Sequence, residues 1–333
     1  GDIALAGGKF SATDDQLLGG TLSITADSEL TVSQGYKLTL SQIGGLPLGA
    51  NKLTISGGGS FDSGGVILNN ADSKLLLNSI TVDSASTTAN SLGVDVDNNS
   101  TITALAVGHI TPVSIATGKS LSGGIAVTAG SIKLNEKGTL ASNVTMSGGT
   151  LDADENSTVS GALTQTADIT IDVADTKTLT YSGAAISLGA NTLTLSGGGS
   201  LVSGGLTLNN ANSKLLLNSI TLDNASTSAD SLGLDVDADS TVTALSVGHI
   251  TPVSIAANKT LSGAVTVTAG SLKLNETGTL SSSVSMSGGI LDVDESLTLS
   301  GALTQAGNIT IDVASGKTLT YSGAALNLGA YTL

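Results

Sequence analysis

Lys133, Asp152 and Asp172 stand 19 and 20 residues apart, with Asn135 and Asp154 two places beyond the first two. The same set returns 140 residues later as Lys273, Asp292 and Asp312, with Asn275 and Asp294. If repeats of this length stack on one another, the residues fall into two neighbouring outward columns. Carboxylates at that density on adjacent strands could hold Ca²⁺, a hard cation that takes about six to eight oxygen ligands. The calcium candidates are therefore Asp152, Asp154, Asp172, Asp292, Asp294 and Asp312. The competing reading is a solvated acidic face, offset by the lysine one turn away. That reading is the expected one, because a flat strand face seldom wraps an ion completely.

The remaining constellations are weaker. Asp235-Val-Asp237-Ala-Asp239 resembles the opening of an EF-hand loop, but Ser240 stands where that loop needs Gly and Ser246 where it needs Glu. Gly57–Gly59 with Asp62 suggests a Gly/Asp calcium repeat, yet Asp62 becomes Val202 in the second copy. His109 and His249 are the two histidines, each preceding Ile-Thr-Pro, where a strand-end or corner role is expected. Two Phe, four Tyr and no Trp are too few for a sugar-stacking platform.

Carboxylate pairs alone would permit glycoside hydrolysis, so a polysaccharide-binding or polysaccharide-degrading protein is one alternative. Catalysis is not expected, because the chain is nearly periodic and has no arginine to complement an acidic sugar. The places for an inserted loop are the long segments Leu75–Thr101 and Leu215–Thr241. An ice-binding solenoid is a further alternative. One outward column reads Thr266, Ser285, Thr304, and another reads Thr241, Thr260, Thr279, Thr298, Thr318. A Thr ladder hydrogen-bonding along the stack explains the second column equally well.

The elements that carry these residues follow from repetition. Ser73–Thr81 (SKLLLNSIT) recurs as Ser213–Thr221, and Gly108–Ala116 (GHITPVSIA) as Gly248–Ala256, each at an offset of 140. Cutting after each Thr or Lys that precedes an apolar residue divides a copy into seven segments. Four consecutive ones, from Val242 to Thr318, are 19 or 20 residues long. Within Leu261–Thr279, Val265 and Val267 alternate with Thr266, and Leu272 and Leu274 with Lys273. That is the pattern of strands with one buried face. Glycine and Asn/Ser clusters provide corners, and no helical stripe appears.

The expected fold is all-β: a parallel β-solenoid with three short strands per turn, about 20 residues per turn and about 16 turns. Residues 1–17 read as an N-terminal cap or partial turn. Residues 18–333 read as one continuous solenoid holding two copies, about 39–178 and 179–318, and part of a third. An open solenoid end exposes apolar side chains and unpaired edges, so end-to-end self-association is expected.

Composition narrows the function. There is no cysteine, hence no disulfide and no zinc–thiolate site. No apolar run approaches the length of a membrane span, so no membrane insertion is expected. Gly1–Leu17 shows no basic segment leading into an apolar one, so no export signal is expected there. The net charge is −15 and all 12 basic residues are lysine, which argues against nucleic-acid binding.

Turns such as LSSSVSMSGGILDVDESLT at Leu280–Thr298 resemble the right-handed β-helix repeats of filamentous-haemagglutinin-like exoproteins and autotransporter passengers. The Ser/Thr/Gly/Asn-rich, cysteine-free, acidic composition is similar too. The resemblance covers Leu18 to Thr332 and rests on period and composition. It implies a right-handed β-helix and an extracellular or cell-surface location, in bacteria. The function it implies is that of a non-enzymatic structural or adhesive segment, without a cofactor, whose partners are cell-surface or matrix glycans or proteins.

Overall fold

The computed structural model describes residues 1–326 and 330–333. The chain divides into two compact units, Gly1–Thr164 and Gln165–Leu333. Each is a parallel β-solenoid, and no helix occurs among the described residues. Taken over both units there are about 16 turns of roughly 20 residues. The unit boundary does not coincide with the boundary between the sequence copies. A 140-residue period has no intrinsic starting turn, so its phase need not mark where the chain is most separable.

A representative turn of the second unit runs Ser271–Leu274, Thr279–Leu280 and Ser283–Met286. The next runs Ile290–Val293, Leu297–Leu299 and Leu303–Gln305. Each strand lies parallel on its equivalent: Leu272 on Leu291, Leu280 on Leu299, Val284 on Leu303. Midway along each copy the second and third strands fuse into longer ones, Ser100–Val107 and Ser120–Val127, then Ser240–Val247 and Thr260–Val267.

Alternation sorts the side chains. In Ser271–Leu274, Leu272 and Leu274 point inward and Lys273 outward. Inward residues then form ladders: Leu53, Leu75, Val94 and Val113 pair in succession in the first unit, and Leu193, Leu215, Leu234 and Val253 in the second. All eight are buried, and burying each is worth about 1.5–3 kcal/mol. Corners carry the backbone demands. Gly93 has φ +83°, and a Cβ there would lie 1.9 Å from the Pro112 carbonyl oxygen; Gly233 repeats the arrangement against Pro252. Only glycine meets both constraints.

Residues 1–17, with Leu18, hold strands that lie on the next turn. Ile3–Ala6, Lys9–Ala12 and Gln16–Leu18 pair in parallel with Leu22–Ala26, Ser28–Val32 and Lys37–Leu40. Their polar composition hides the pattern, since Leu5 and Ala12 supply the buried positions. The segments Leu75–Thr101 and Leu215–Thr241, the places where a loop could have been inserted, carry no long loop. They hold the strands Thr81–Thr87 and Gly93–Asn98, and Thr221–Thr227 and Gly233–Val236. The turn step from Leu75 to Val94 is an ordinary one. The excess length came from cutting at Thr or Lys, which does not follow the corners. No helix among the described residues is long and apolar enough to cross a membrane.

Candidate functional site

The acidic columns are built on the first strand of each turn. In the first unit Ser131–Leu134 lies on Thr150–Ala153, pairing Lys133 with Asp152. The Lys133 Nζ sits 2.5 Å from Asp152 Oδ2 and 3.4 Å from Asp154 Oδ2. In the second unit Lys273, Asp292 and Asp312 follow one another in register. Lys273 Nζ lies 2.6 Å from Asp292 Oδ2 and 3.1 Å from Asp294 Oδ2. Asp172 belongs to the second unit, on Ile169–Val173, where it accepts a hydrogen bond from the Ser196 hydroxyl.

Each lysine ammonium thus stands between two carboxylates, in the position a divalent cation would need. Hydrogen bonding to Asp152 raises the Lys133 pKa above the ordinary lysine value, and the bonds to Asp292 and Asp294 do the same for Lys273. Among the described residues no three Asp, Glu, His or Cys side chains gather closely enough to hold a metal ion. The arrangement is an ion-pair ladder. Lys74–Asp95 and Lys214–Asp235, each at 2.7 Å, extend it diagonally.

Other acidic and amide side chains tie turn to turn. The Asp239 carboxylate accepts the Thr260 N–H at 2.8 Å, Asn99 that of Ser120 at 3.0 Å, and Asp168 that of Thr192 at 2.7 Å. Asp83 accepts the N–H groups of Ser63 and Gly64. The run Asp235–Asp239 is therefore spread over separate duties: Asp235 pairs with Lys214 and Asp239 caps the next turn. Asp62 pairs with Lys37 at 2.7 Å. Sequence reasoning missed these caps. Their separations run from 19 to 24 residues, so no fixed period along the chain marks them.

His109 and His249 are exposed and immediately precede the strands Ile110–Ile115 and Ile250–Ile255. His249 Nδ1 lies 3.8 Å from Asp230 Oδ1, which also accepts the Ile250 N–H. Behind each histidine is a buried Thr pair, Thr111–Thr87 at 3.1 Å and Thr251–Thr227 at 3.3 Å. These are corner features.

The hydroxyl columns are part expected and part new. Thr266, Ser285 and Thr304 do stack, and the file continues upstream through Ser246, Ser226 and Thr207. In the first unit the equivalent file is Pro47, Ile67, Ser86, Ala106, Ala126 and Thr145. There it forms part of a shallow, mostly apolar groove of about 500 Å³. Along this file the copies differ, although the interior and the outward Lys–Asp pairs are shared. The second expected column breaks: Thr260, Thr279 and Thr298 stack, but Thr241 pairs with Ser262 and Thr298 with Thr320. Corner lengths vary between turns, so a column traced by a fixed residue count slips. Comparison of the chain with protein-family models, with curated proteins and with solved structures finds no match.

Proposed function

We infer that this chain is a non-enzymatic structural and adhesive segment of a secreted or bacterial cell-surface protein. One observation carries the reading: turn after turn, the inward positions are spent on an aliphatic ladder, while the outward ones repeat as Lys–Asp pairs, Asx caps and hydroxyl files. A surface made of repeated ranks suits display and contact along a face. The charged groups support it, since Asp152, Asp154, Asp292 and Asp294 are already paired with lysine and Asp83, Asp168 and Asp239 bonded to backbone N–H groups. Partners of this surface are glycans or proteins of a cell surface or matrix.

The reading is tested by immobilising the purified chain and measuring retention of cells and of matrix-coated beads under flow. Retention above an inert acidic protein is expected. Incubation with a panel of polysaccharides should release no new reducing ends; a steady release would overturn the non-enzymatic part.

A further inference from the structure

Each unit has a small hydroxyl-lined cleft at the same corner, between the first and second strands of the turn. In the first unit Ser79, Thr81, Asn99, Thr101 and Ser122 line a space of about 300 Å³. In the second, Ser219, Thr221, Asp239, Thr241 and Ser262 line about 170 Å³, with Thr260 at the edge. The Asx residue is anchored by one oxygen: Asn99 Oδ1 takes the Ser120 N–H at 3.0 Å and its hydroxyl at 3.3 Å, and Asp239 Oδ1 takes the Thr260 N–H at 2.8 Å. These bonds use one oxygen of each side chain, and both residues are exposed and line the clefts. Around them stand hydroxyls, each able to donate one hydrogen bond and accept others.

We propose that these two clefts are subsites for a neutral glycan, each gripping the edge of a single sugar ring through its vicinal hydroxyls. The proposal rests on the adhesive reading above and names its ligand class. Lining chemistry decides the class. No lysine lines either cleft and one of them holds a carboxylate, so phosphate, sulfate and uronic acids are disfavoured. Ile80 and Ile220 also line the clefts but are buried, so the groups a ligand meets are chiefly hydroxyls with one amide or carboxylate, which disfavours an acyl chain. No cluster of metal-ligating side chains forms there among the described residues. A polyol matches mixed donors and acceptors at short spacing. The volumes lie at or below the range of small-molecule pockets. Without an aromatic ring for stacking, each site is weak, about millimolar.

The test uses the intact chain on an array of neutral gluco-, galacto- and manno-oligosaccharides beside sulfated and uronic-acid oligomers, with saturation-transfer NMR on any ligand found. Binding to at least one neutral series and none to the anionic ones is expected. A variant joining Asn99→Ala, Thr101→Val, Asp239→Ala and Thr241→Val should bind about tenfold more weakly. The alanines also remove inter-turn caps, so a second variant keeps them and changes only Thr101→Val, Thr241→Val, Ser122→Ala and Ser262→Ala. It should fold as the parent does by circular dichroism and still lose binding several-fold.

Absence of neutral-glycan binding by the parent chain, or undiminished binding by the second variant, overturns the proposal. The flow assay separates the two readings. Cleft variants that adhere as well as the parent sink the clefts and leave adhesion standing. A parent that binds glycan yet holds no cell or bead sinks adhesion and leaves the clefts.

Discussion

Lys273 Nζ lies 2.6 Å from Asp292 Oδ2, one turn away in the same column, and the equivalent Lys133–Asp152 pair repeats the arrangement. The lysine side chains are about 30% exposed, so solvent screens the attraction and each pair is worth about 0.5–1 kcal/mol. A double-mutant cycle with Lys273→Met and Asp292→Asn should return a coupling of that size, shrinking as salt rises. A coupling of zero at low salt would show that the contact is fortuitous.

The same pairs set an alkaline limit. Both lysine pKa values are raised by folding. Their stabilisation is therefore fully present below the unfolded lysine value, about 10.4, and is lost as pH rises through the higher folded value. From pH 7 to 10 the pairs should contribute a constant amount. Above that the melting temperature of the parent should fall more steeply than that of a Lys133→Met, Lys273→Met variant. Parallel curves for the two proteins would contradict the assignment.

Calcium should behave as an ordinary salt. With ammonium groups already between the carboxylates, Ca²⁺ should raise the melting temperature no more than Mg²⁺ at equal ionic strength. Asp152→Asn and Asp292→Asn should not change that comparison. A specific calcium gain, abolished by these substitutions, would restore the acidic columns as metal sites through mass action on the folded state.

Thr176 offers a test of backbone strain. Its φ is +64°, a poor conformation for a β-branched residue, whereas the corresponding Gly316 adopts +78° at no steric cost. Thr176→Gly should stabilise by about 0.5–1 kcal/mol, and Gly316→Thr should destabilise by at least as much. Chemical denaturation of both variants reads the sign directly.

The aliphatic ladder should be the least forgiving part. Leu75 is fully buried between Leu53 and Val94. Leu75→Ala leaves a cavity that stacked neighbours cannot refill and should cost about 2–5 kcal/mol. Thr54→Ala, at a half-buried outward position of an adjacent turn, should cost far less. Equal losses would mean that the interior is not the source of stability.

Sequence by itself determined the strands, their inward faces and the parallel stacking. Alternation at Leu272–Lys273–Leu274 is a local consequence of strand geometry, and the 140-residue echo shows that turns repeat. The Lys133–Asp152 neighbourhood was legible for the same reason, because the turn between them has the regular length. Only the tertiary structure decided the register elsewhere. Thr241 meets Ser262 rather than Thr260, since parallel strands pair according to the corners that deliver them, and those corners differ in length. The capping by Asp239 and Asn99, and the clefts beside them, were invisible for that reason too. They join residues about one turn apart across corners whose geometry no periodic count along the chain contains.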